Sequence, residues 1–179
     1  MQNLKDLPLG ARAPERVNAI IEIPRGVRTK YEYDVNLGVF RLDRVLYASM
    51  FYPAPYGFLP STLAEDGDPM DILVLISEPL DVGVMVEARP IGMLKMSDEK
   101  GKDDKVLSVA TGDPSYREVR ELEQITDDEL RLIEHFFMSY KTLERKKVES
   151  NGWVPRMDAL RAIETAQQRY QERKAEAAG

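Results

Sequence analysis

The stretch "EDGDPMDILVL", Glu65 to Leu75, places four acids within seven residues and then runs into an apolar strand. Acids that only solubilise a surface need no such neighbour. Acids that hold a cation do, because a rigid element fixes where the ligands point. Gly67 and Pro69 shape a turn in which Asp66, Asp68 and Asp71 can converge on one point. An EF-hand calcium loop is the obvious comparison, and spacing excludes it. With Asp66 first, that loop needs an oxygen ligand at 70, glycine at 71 and glutamate at 77. The chain offers Met70, Asp71 and Ser77. The plain alternative is a solvated acidic turn, the commoner fate of an Asp-Gly cluster. Against it stands a second acidic turn, "SDEKGKDDK" from Ser97 to Lys105, also placed after a strand and hinged on Gly101. Oxygen-only ligand sets suit Mg²⁺ or Mn²⁺, and one histidine, His135, without any cysteine argues against a zinc site.

Other charges sit where apolar residues are expected. Phe40, Leu42, Arg44 and Leu46 share one strand phase, and Glu22 follows Ile20 in the same manner. Charges in a buried phase are usually paired or functional, so an Arg44–Glu22 ion pair competes evenly with a site role. Lys30 and Glu32 lie opposite Tyr31 and Tyr33 in phase, an ordinary polar face when taken alone. Tyr52 and Tyr56 flank prolines in "MFYPAPYGFLP", and Tyr140 precedes Lys141. For these phenols packing is the default. Together, carboxylates beside Lys30, Arg44, Lys105, Lys141 and phenol donors suit a small, highly charged phosphate ester or anhydride. Metals polarise its oxygens and generate a hydroxide, while cations stabilise the departing phosphate. Neither a GxxxxGK[ST] loop nor a dinucleotide fingerprint is present.

The elements that must position these residues are β in the first two-thirds of the chain. "VNAIIEIP", "KYEYDV", "VFRLDRVLY", "DILVLI", "GVMVEARPIGMLKM" and "KVLSVAT" read as short strands separated by Gly/Pro turns. Five to seven such strands predict a small antiparallel barrel or sandwich. From Thr126 the period changes. "TDDE" is a capping box, and Leu130, Ile133, Phe137 and Tyr140 form a helical stripe. Pro155 opens a second helix carrying Met157, Leu160, Ile163 and Tyr170, and a frayed tail is expected over residues 170–179. With no repeat or linker, residues 1–179 read as a single domain.

Net charge is −6, from 25 basic and 31 acidic residues, which counts against a nucleic-acid binder. The longest apolar run, Ile72 to Ile76, is far too short to cross a bilayer. The opening "MQNLKDLPLG" lacks the basic start and apolar core of a signal peptide, so a cytoplasmic location is expected.

"DGDPMDI" resembles the signature of the soluble family I inorganic pyrophosphatases of prokaryotic type. The likeness extends from about Val17 to Trp153, through "EIPRG", "KYEYD", "LDRVLY", "RPIGMLKMSDEKGKDDK" and "HFFMSYKTLE". It implies an α+β fold: an OB-like five-stranded antiparallel β-barrel with flanking C-terminal helices. It also implies hydrolysis of diphosphate to two orthophosphates with several Mg²⁺ per site, Mn²⁺ or Zn²⁺ substituting. By the same resemblance Asp66, Asp71 and Asp103 are ligands of the tighter ions, and Asp98, Glu22 and Glu32 serve further metal. Asp68 resembles the general base. Lys30, Arg44, Lys105, Tyr140 and Lys141 resemble the phosphate clamp, with Tyr52 and Tyr56 as phenolic supports. One departure is "KKVESNGW", where many members carry tryptophan before the valine.

The resemblance also implies a homohexamer of two stacked trimers. Phe136 and Phe137 cannot both sit at the centre of one narrow stripe, so one is expected to pack on a neighbouring subunit near His135. Two rivals stay open: a silent OB-type binding module, which would need a basic groove with exposed aromatics, and a metal-dependent phosphatase for organic diphosphates.

Overall fold

β-branched alternation in "VNAIIEI" becomes β1 (Val17–Ile23), followed by β2 (Thr29–Asp34) and β3 (Val39–Val45). Next come β4 (Tyr56–Phe58), β5 (Asp71–Leu75), β6 (Met85–Asp98), β7 (Gly101–Lys102) and β8 (Lys105–Ala110). Helix α1 (Asp127–Ser139), β9 (Val148–Pro155) and helix α2 (Arg156–Ala178) complete the order. The computed structural model describes residues 3–99 and 101–179. Met1, Gln2 and Lys100, the last within the acidic hairpin loop, lie outside the described residues.

The strands β1, β4, β5, β8 and β6 follow one another by pairing, and β6 pairs back onto β1 to close a five-stranded ring. The ring matches the expected OB-like barrel, with one difference: β5 and β8 run parallel, whereas the other joins are antiparallel. β7 and β9 extend the sheet from β6, and β2 and β3 form a separate two-stranded ribbon. The departing segment "KKVESNGW" thus supplies most of β9, whose register runs Asp98↔Val148 to Gly92↔Pro155.

Period-two alternation splits the ring's side chains between two cores. Leu73, Leu75, Leu107 and Val109 join Tyr52, Tyr56, Phe136, Phe137 and Tyr140 in an aromatic-rich core beneath α1. Ile72, Val74 and Val106 join Met93, Ala159, Ile163 and Ala166 in an aliphatic core beneath α2. Both faces of β5 and β8 are therefore buried, which explains their uninterrupted apolar runs. Each fully buried large side chain contributes roughly 1.5–3 kcal/mol. Gly57 is required where β4 approaches β1: a Cβ there would stand 1.8 Å from the Ile20 carbonyl oxygen.

Several expectations are corrected. Phe136 and Phe137 are both buried within the chain, 2% and 1% exposed, because Phe136 packs on Tyr52 and Phe137 on Tyr56. Neither is left for a neighbouring subunit. The tail expected to fray from residue 170 is helical through Ala178, pinned where the Tyr170 phenol donates to the Asp6 carboxylate and Lys174 pairs with it at 3.1 Å.

Candidate active site

The site is assembled where strand ends meet. Asp71 opens β5 and Lys105 opens β8, and the parallel register sets them side by side. Lys105 Nζ lies 2.5 Å from Asp71 Oδ2 and also donates to Asp103 Oδ1. Asp103 is fixed in turn by its backbone N–H, which donates to the Met96 carbonyl at 2.9 Å. The Lys105 side chain is only 2% exposed. Burial opposes its charge most strongly, yet the Asp71 and Asp103 carboxylates outweigh that cost and raise its pKa. Burial first, then Asp71, pushes the Asp103 carboxyl up.

α1 delivers the next pair. Tyr140 caps its C-terminus, its N–H donating to the Phe136 carbonyl and its ring entering the aromatic core, and Lys141 follows. Lys141 Nζ reaches Asp98 Oδ2 at 3.2 Å and Asp103 Oδ2 at 4.0 Å. The ribbon supplies Lys30, which pairs with Glu32 and, at 3.3 Å, with Asp43. On β1, the Glu22 carboxylate accepts from the Tyr33 N–H at 2.8 Å. Burial, with Asp71 and Glu32 adding, pushes Glu22 up to about 7. Asp66 is also raised, by burial and then by Asp68 and Asp71. Burial keeps the Tyr56 phenol protonated well above its usual range.

A cavity of about 380 Å³ gathers Glu22, Lys30, Glu32, Tyr56, Asp66, Asp68, Asp71, Asp98, Asp103, Lys105, Tyr140 and Lys141. Twelve of the fourteen residues expected from sequence thus share one space. The other two do not line it. Tyr52 is buried behind Tyr56, ring centroids 5.7 Å apart, and supports that phenol from the core. Arg44 turns to Asp43 and to Glu144, 3.0 Å from its Nε. The Arg44–Glu22 ion pair, the even alternative to a site role, does not form. The expected strand phase fails because Asp43 bulges: Lys30 pairs with Arg44 but Tyr31 with Leu42, and Leu42 is 56% exposed. Sequence reasoning missed Lys5, which lines the cavity with its Nζ 3.1 Å from Asp68 Oδ1. Nothing in its local pattern marks it.

The donor set suits hard divalent cations, since seven carboxylates and no histidine line the cavity. Among the described residues, however, no three such groups already surround one point. Instead Lys105 stands between Asp71 and Asp103 as their counter-ion.

The family model described as inorganic pyrophosphatase matches residues 19–171. The inorganic pyrophosphatase of Thermus thermophilus is 49% identical over 95% of this chain and 99% of its own. A crystal structure of inorganic pyrophosphatase from that organism superposes with a TM-score of 0.93 at 48% identity, again covering 95% and 99%. The inorganic pyrophosphatase of Methanosarcina mazei is 46% identical over 87% of this chain and 92% of its own. That of Helicobacter pylori has a TM-score of 0.88 at 38% identity, covering 92% and 98%. The fold is that of the inorganic pyrophosphatases, a class of hydrolases. The chain belongs to the inorganic pyrophosphatase family.

Proposed function

We propose that this chain hydrolyses inorganic diphosphate to two orthophosphates in the cavity described, with divalent cations as cofactor. The observation that carries the reading is the convergence of seven carboxylates with Lys30, Lys105, Lys141, Tyr56 and Tyr140 in one space. Asp66, Asp71 and Asp103 would hold the tighter ions, and Asp98, Glu22 and Glu32 would serve the others. When bound, these ions supply charge to match the diphosphate and a water acidic enough to ionise near neutral pH. Asp68 takes the proton from the attacking water. Lys30, Lys105 and Lys141 donate to the phosphate oxygens, with the Tyr56 and Tyr140 phenols beside them. Arg44 acts from the rim and Tyr52 holds Tyr56 in place.

The metal in this reading is Mg²⁺, with Mn²⁺ or Zn²⁺ able to substitute, because small oxygen-liganded ions pair with phosphates. The assembly is a homohexamer acting in the cytoplasm, without nucleic acid or membrane as partner. Exposed Leu42, Val45, Tyr47 and Phe51 support a subunit interface near the ribbon. No described helix is long and apolar enough to cross a membrane.

The deciding experiment measures phosphate release from diphosphate, ATP and an organic diphosphate, with and without Mg²⁺. Diphosphate should be cleaved far faster than the others, and only with metal. Comparable rates on ATP would overturn the reading.

A further inference from the structure

Residues Asn3 to Leu7 form a strap beside the cavity, wound into a short 3₁₀ turn at Leu4–Asp6. The strap is fastened to three parts of the fold. The Leu4 N–H donates to the Tyr33 hydroxyl of the ribbon at 3.2 Å. Ser61 donates its N–H to the Lys5 carbonyl at 2.8 Å and its hydroxyl to the Leu7 carbonyl at 2.7 Å. On α2, Tyr170 and Lys174 hold Asp6. Ser61 makes its two bonds from a left-handed backbone, φ 53°, an unfavourable conformation for a non-glycine residue.

With its backbone tied in this way, Lys5 sends its side chain into the cavity. Its Nζ meets Asp68 Oδ1 at 3.1 Å. Asp68 needs such a partner. It sits on the acidic turn with its side chain 72% exposed, and its backbone N–H, not its carboxylate, is tied to Asp66. Among the described residues, the Lys5 ammonium is the only partner of the Asp68 carboxylate. An aspartate in that position otherwise exchanges among staggered rotamers, and most of them point the base away from its target.

We propose that Lys5 is a positioning residue for the reaction: through the strap, its ammonium fixes the rotamer of the Asp68 carboxylate that accepts the water's proton. The inference rests on Asp68 being the base. A pair this exposed contributes little to stability, so its value lies in geometry. A misplacement of about 1 Å can cost on the order of 100-fold in rate.

The test is a double-mutant cycle of Lys5→Met with Asp68→Asn, with Lys5→Gln as a second neutral variant and Lys5→Arg as the conservative one. Turnover, KM for diphosphate, half-saturation by Mg²⁺ and melting temperature are measured for each. Lys5→Met and Lys5→Gln should lower kcat about tenfold, with KM, metal dependence and melting temperature unchanged. Lys5→Arg should restore most of the loss. In the Asp68→Asn background, Lys5→Met should cost nothing more. A rise in KM at constant kcat, or the same loss in both backgrounds, would show that Lys5 touches substrate directly or acts on the fold, and would overturn the proposal. Lost turnover in Asp68→Asn with normal kcat in Lys5→Met overturns this inference alone. Normal turnover in Asp68→Asn removes the base assignment and the inference with it.

Discussion

The seven-stranded sheet and the β2–β3 ribbon feed charges to the same cavity, but they hold them by different means. In the sheet, every residue of β8 is buried and only Asp71 of β5 is not. Its charged groups stand at the ends of strands locked by close-packed aliphatic side chains. In the ribbon, no residue of β3 is buried. Its charges are held largely by one another: Lys30 by Glu32 and Asp43, Arg44 by Asp43 and Glu144. Packed strands set Asp71 and Lys105 in place, whereas ion pairs place the ribbon's cations. The first kind of placement is rigid and insensitive to salt, and the second is adjustable and screened.

The largest effect that would test this contrast is on folding itself. Gly57→Ala puts a Cβ 1.8 Å from the Ile20 carbonyl oxygen at the β1–β4 seam. Backbone cannot yield there without opening the ring, so a loss of about 3 kcal/mol or more is expected in urea titration. A variant as stable as wild type would mean that the ring is softer than its packing implies.

Function should divide along the same line. Asp71→Asn, on the sheet, should weaken Mg²⁺ binding by more than the roughly 10–100-fold that losing an outer partner costs. An amide cannot replace the charge, so activity should partly recover at high Mg²⁺. Lys30→Met, on the ribbon, should leave Mg²⁺ affinity alone and raise KM for diphosphate about tenfold, the effect shrinking as salt rises. Calorimetry and steady-state rates decide the matter. If Lys30→Met disturbs metal binding as Asp71→Asn does, the two regions are one unit.

Smaller effects are expected within the ribbon. Gly38→Ala, at φ 68° in the hairpin turn, should cost roughly 1–2 kcal/mol while sparing metal affinity. Asp34 accepts from the Asn36 and Leu37 N–H groups and pairs with Arg41. The Arg41 guanidinium, then the Leu37 N–H, lowers its pKa. A lowered carboxyl stabilises the fold above its unfolded value, about pH 4, and that contribution is lost as pH falls through the lower folded value. The melting difference between wild type and Asp34→Asn should therefore be present at pH 6 and vanish near pH 2.

What was legible in the sequence follows the same division. The sheet's acids and Lys105 announce themselves because they interrupt or end apolar strands, and the structure brings them together. The two helices were marked by the Thr126 cap and by Pro155. Other features have no local signature. β4 is only Tyr56–Phe58, hidden among prolines, and β9 owes its conformation to pairing along β6. The Asp43 bulge shifts the ribbon's phase in a way that alternation alone cannot reveal. The parallel β5–β8 join is a property of topology, not of either strand's residues. Lys5 reaches Asp68 across 63 positions, and no spacing rule spans that distance.

β6 is the strand on which four others meet, pairing with β1, β7, β8 and β9. Its position has a consequence during synthesis. As the chain leaves the ribosome, β1, β4 and β5 can form only an open three-stranded piece with two raw edges. Closure waits for β6, and then for β8 to insert between β6 and β5. Contacts so distant in sequence make for slow folding. The wait is also electrostatic, because Asp71 and Asp98 emerge before their partners Lys105 and Lys141. The acids are translated early, and much of the charge that balances them comes late.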